Sequence, residues 1–75
     1  MAMIKGISFE TINGRGEAIR LFSNLWEINA PSGMVRFHGT PGDVRGAISK
    51  IASREAKDAN ARDLGLVFHE GGEEC

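Results

Sequence analysis

Few residues of this chain have types and spacing suited to chemistry, and most of those are cationic. Gly14-Arg15-Gly16 sets a guanidinium between two glycines. If this segment leads from a strand into a helix, its backbone N–H groups and Arg15 would meet a carboxylate or phosphate at the helix start. The competing reading is that the glycines only make a tight connection, because a single Gly-x-Gly without a third glycine, or without a Gly-Lys-Ser/Thr element, is no nucleotide fingerprint. Further on, Lys50, Arg54 and Lys57 recur at i, i+4 and i+7, with Arg45 nearby. That spacing makes a basic stripe for phosphates or for an acidic protein surface, although Glu55 and Asp58 interrupt it as on an ordinary solvated helix face.

Catalytic equipment is sparse. His38 and His69 fall at strand ends, and no recognisable motif places a Ser or Cys beside either. Cys75 stands among acidic residues that do nothing to lower a thiol pKa. One cysteine and two isolated histidines, thirty-one positions apart, do not make a four-ligand metal site or an internal disulfide. We therefore expect no enzyme activity, no metal and no cofactor.

The elements that must position the cationic groups follow from periodicity. Ile4 to Ile12 alternates as a half-buried strand, with Ile7 and Phe9 on one face. Asn13-Gly14 is a hairpin signal, but Ala18, Leu21, Phe22, Leu25 and Trp26 fall at i, i+3, i+4, i+7 and i+8, the stripe of an amphipathic helix. The stripe predicts a helix from Glu17 to about Trp26, ended by the breakers Asn29-Ala30-Pro31-Ser32-Gly33. Trp26, at its margin, is expected in the core. A short strand at Glu27–Asn29 and a firmer one at Met34–His38 flank those breakers. Thr40-Pro41-Gly42-Asp43 then opens a second helix: a hydroxyl N-cap, Pro at the first helical position, and an acid three residues after the cap. Its apolar stripe is Val44, Ala47, Ile48, Ile51, Ala52 and Ala59, its end lies between Asp58 and Arg62, and Leu66–His69 makes a last strand.

This order, β-α-β-β-α-β, is the ferredoxin-like arrangement with two helices on one face of an antiparallel sheet. If Glu17–Trp26 is instead a strand, the chain becomes a β-meander followed by one helix and a last strand. The run Ile7-Ser8-Phe9-Glu10-Thr11, the turn with Gly14 and Gly16, and Glu17-Ala18-Ile19-Arg20-Leu21-Phe22-Ser23-Asn24-Leu25 resembles the opening of ACT-type regulatory domains, over about the first third of the chain. The resemblance implies a ferredoxin-like fold, dimerisation, and binding of a small amino or carboxylic acid at Gly14, Arg15 and Gly16.

Size and charge bound the function. Seventy-five residues, 41% hydrophobic and 25% charged, describe a single domain over 1–69, followed by a tail, 70–75, expected to be mobile. A chain this short buries only about 60–65% of its unfolded surface, which leaves little for a deep substrate cavity. Residues 1–69 hold nine basic against seven acidic side chains, a net of +2, which is not the footprint of a dedicated nucleic-acid binder. No apolar run reaches bilayer length, and the opening residues lack the blocks of a signal peptide, so no membrane and a cytoplasmic location are expected. The leading expectation is a non-catalytic module that binds a larger protein or complex through Arg15, Arg45, Lys50, Arg54 and Lys57, as a stoichiometric inhibitor or adaptor. Small inhibitors from phages and other mobile elements, anti-CRISPR proteins among them, share this size and composition. The second expectation is the dimeric ACT-like sensor, and the third is nucleic-acid binding along the basic stripe.

Overall fold

The computed structural model describes residues 3–4, 6–69 and 73–74. In chain order the elements are β1 (Met3–Ile4), β2 (Gly6–Thr11), β3 (Gly14–Arg20), β4 (Leu25–Ala30), β5 (Gly33–His38), α1 (Pro41–Asp58), β6 (Val67–His69) and β7 (Glu73–Glu74). β2 to β6 form an antiparallel sheet in the order β5-β4-β3-β2-β6, and β1 pairs separately with β7. Residues 70–72 and 75, and with them much of the tail expected to be mobile, lie outside the described residues.

The ferredoxin-like expectation is thereby corrected: the chain has one helix, and Glu17–Trp26 is not helical. The alternative, a β-meander followed by one helix and a last strand, fits. The reason lies in the hairpin at Ile12-Asn13, where Gly14 at φ +135° occupies a conformation that side chains disfavour and the chain reverses. β3 then satisfies its backbone on both sides, against β2 from Gly6↔Ile19 to Thr11↔Gly14 and against β4 from Glu17↔Asn29 to Arg20↔Trp26. The residues of the supposed helical stripe are divided. Ala18 and Trp26 are fully buried, whereas Leu21 is exposed and Phe22, in the β3–β4 loop, is 72% exposed.

Antiparallel partners share a face, so the register sorts the side chains. Ile7, Phe9, Ala18, Trp26 and Ile28 line the inner face, and α1 covers them with Val44, Ile48, Ala52 and Ala56. Each large side chain so buried contributes about 1.5–3 kcal/mol. Trp26 closes one end of this core: its indole N–H donates to the Gly39 carbonyl at 3.1 Å, and the Arg20 guanidinium lies 5.2 Å from its ring centre.

The helix starts as expected. The Asp43 N–H donates to the Thr40 hydroxyl at 3.2 Å and the Thr40 N–H to the Asp43 carboxylate at 3.1 Å, a reciprocal capping box with Pro41 inside it. The helix ends at Asp58, within the expected range, but Ala59, placed on the apolar stripe, is the exposed C-cap, while Glu55 and Ala56 face the core.

Candidate binding surfaces

Gly14, Arg15 and Gly16 are strand residues of β3, and no helix start follows them. Gly16 answers a packing need, since a Cβ there would stand 2.4 Å from the Phe9 ring and 2.7 Å from the Asn29 carbonyl oxygen. Arg15 stands on the uncovered sheet face, its side chain 74% exposed, with Nε 3.9 Å from the Glu10 carboxylate. It borders a shallow depression of about 430 Å³ with Ser8, Gly16, Glu17 and Asn29.

The same carboxylate receives His69 from β6, Nε2 to Oε2 at 2.9 Å. Glu10 thus joins groups from three adjacent strands, a pairing across fifty-nine positions that no local motif announces. His38, at the end of β5, is exposed.

The helical cations line two different depressions. Lys50 and Arg54 line a groove of about 490 Å³ between α1 and β5, together with Ser32, Met34, Val35, Ile51 and Asp58. Lys57, further along, lines a separate depression beside Asn60 and Asp63. Arg45 is exposed five residues before Lys50, about 140° away around the helix. Lys50 and Arg54 thus share one groove, to which β5 adds Val35, 47% exposed, with Met34, 51% exposed, on the other face of that strand.

On the inner side of the same helix Glu55 is 1% exposed and accepts four hydrogen bonds. The Thr11 and Ser32 hydroxyls donate at 2.5 Å each, the Ser32 N–H at 3.1 Å and the Asn13 side-chain amide at 3.2 Å. Burial pushes this carboxyl up, but the donors from Ser32, Thr11 and Asn13 outweigh it and hold its pKa below the ordinary 4.5. Glu55 fastens both hairpin turns, β2–β3 and β4–β5, to the helix. In sequence it looks like an interruption of a solvated stripe, yet it falls at i+7 from Ile48, on the core side.

Among the described residues no group of three or more His, Cys, Asp or Glu could hold a metal, and no helix is long and apolar enough to cross a membrane. Compared with protein-family models, curated proteins and solved structures, the chain matches none. The functional reading rests on geometry.

Proposed function

We propose that this chain is a non-catalytic protein-binding module that acts by occupying a surface of a larger protein or complex, as a stoichiometric inhibitor or adaptor. The observation that carries the reading is the groove between α1 and β5, where two cations, Lys50 and Arg54, flank exposed apolar Val35 and half-buried Ile51, while exposed Met34 stands on the other face of the same strand. Apolar contact area beside fixed charges is what a protein interface uses for affinity and orientation respectively. The exposed Phe22 in the β3–β4 loop supplies a further aromatic anchor of the kind that dominates interface energetics.

The test is capture from a lysate of the source cells with the chain tagged at its N-terminus, at moderate salt. One large protein or complex retained in near-stoichiometric amount by the native chain, and lost with Lys50→Glu/Arg54→Glu but kept with Arg45→Glu, is the expected result. Equal retention by all three removes the groove from the function. Recovery of the chain alone, as a dimer responsive to metabolites, replaces the reading with that of a small-ligand sensor.

A further inference from the structure

The sheet ends in two edges of unequal length. β6 offers three residues, whereas β5 offers the six from Gly33 to His38, with no described strand on its outer side. The Gly39 N–H donates to the Asn24 carbonyl at 2.8 Å, which fixes the phase of the β4–β5 ladder. Hydrogen-bonded and non-bonded pairs then alternate, so Val35 and Phe37 bond to β4 while Met34, Arg36 and His38 turn their N–H and C=O groups outward. Edge strands are ordinarily blunted by Pro, a bulge, shortness or a charged side chain; β5 has no Pro, pairs without interruption and is as long as its neighbour, and its one charged residue, Arg36, repels a second cationic edge but not an acidic segment.

The rim of this edge is cationic on both faces. Lys50 and Arg54 flank it on the helix side, with Asp58 the one acid lining that groove among the described residues, and Arg36 stands on the strand itself, facing the uncovered side. Glu27 is the register partner of Arg36, yet the two side chains form no ion pair. We infer that β5 takes up an extended acidic segment of a partner protein as a sixth strand, with carboxylates toward Lys50 and Arg54 on one face and Arg36 on the other, and an apolar side chain against Val35 and Ile51. Main-chain bonds to Met34, Arg36 and His38 supply affinity, and the alternating side chains supply selectivity. A second copy of this chain is a poorer occupant: antiparallel pairing about Arg36 sets that guanidinium against its own counterpart and brings both Lys50–Arg54 pairs to one face, a like-charge arrangement. The inference rests on the protein-binding reading and specifies the partner.

The full chain is titrated with the synthetic peptide Glu-Glu-Val-Glu-Glu, whose first, third and fifth side chains share one face and whose second and fourth share the other, with Lys-Lys-Val-Lys-Lys as control, and amide exchange is followed by NMR. The expected result is exchange slowed about tenfold or more at Met34, Arg36 and His38 with the glutamate peptide and unchanged with the control. Arg36→Pro removes an outward N–H without taking a bond from β4, so it should abolish this protection while the melting temperature changes little. Lys50→Glu/Arg54→Glu should weaken binding about tenfold. Binding without protection of those three amides, or no binding at all, overturns strand addition, as does protection that appears with self-association alone. If Arg36→Pro still captures the lysate partner that Lys50→Glu/Arg54→Glu loses, strand addition fails while the protein-binding reading stands; if the native chain captures nothing, the reading itself fails.

Discussion

Two carboxylates, Glu55 and Glu10, are each met by groups from other elements, and they are solvated in opposite ways. Glu55 is buried among neutral donors, two hydroxyls, a backbone N–H and a side-chain amide, with no cation paired to it among the described residues. Glu10 sits on the uncovered face beside charged or chargeable groups, Arg15 and His69, with water on the other side. Inside, directed donors replace water one for one and hold the anion; outside, charges meet in a medium that screens them. The comparison teaches that the better stabiliser here is the carboxylate without a counter-charge.

The largest effect that would break this contrast is deletion of the inner carboxylate. Glu55→Ala leaves the Thr11 and Ser32 hydroxyls and the Asn13 amide without their acceptor and unties both hairpin turns from α1, a destabilisation of about 3 kcal/mol. Denaturant unfolding followed by tryptophan fluorescence measures it through the buried Trp26, and a loss under about 1 kcal/mol would show that water takes over from the carboxylate at little cost.

Acid acts on the same group more gently, because the side chain stays in place. The folded pKa of Glu55 lies below the ordinary 4.5, so the unfolded chain binds the proton more readily. The stabilisation is therefore fully present above pH 4.5 and is lost as pH falls through the lower folded value. Stability measured from pH 7 to pH 3 should decline less steeply in Glu55→Gln than in the native chain; parallel curves would assign the acid sensitivity to other carboxylates. Smaller again is removal of one donor: Thr11→Val keeps the shape but deletes the hydroxyl that donates to Glu55 and accepts from the Asn13 N–H, costing about 1–2 kcal/mol.

What could be read from the sequence follows the range of the forces involved. The capped helix at Thr40-Pro41-Gly42-Asp43 and the alternating strands around Phe9 and Phe37 are encoded in neighbouring residues, and the structure holds them. Glu17–Trp26 carried two periods at once. The helical one collected Leu21 and Phe22, which the loop exposes, and hid the alternation Trp26-x-Ile28-x-Ala30 that marks β4. Pairing on both sides of β3, a non-local gain, decided the matter. Of the site, Lys50 and Arg54 were visible as a helical pair, while their groove depends on β5 lying beside α1. The Glu55 cluster joins positions forty-two and forty-four residues apart through a hairpin that the helical reading had removed, so no pattern within one element could reveal it.

The smallest effect belongs to the outer carboxylate, and it is the sharper test because the two sites look alike on paper. Glu10 lies 2.9 Å from His69 and 3.9 Å from Arg15, whereas the partners of Glu55 are all neutral. Its side chain is nevertheless 44% exposed, so water competes for both partners and salt weakens what remains. Glu10→Gln should therefore change stability by about 0.5 kcal/mol or less, and the difference should vanish in high salt. Denaturation of both chains at low and high ionic strength measures it. A salt-resistant loss comparable with that of Glu55→Ala would mean that the three-strand contact of Glu10, rather than the buried cluster, holds β6 to the sheet, and would reverse the ranking of the two sites.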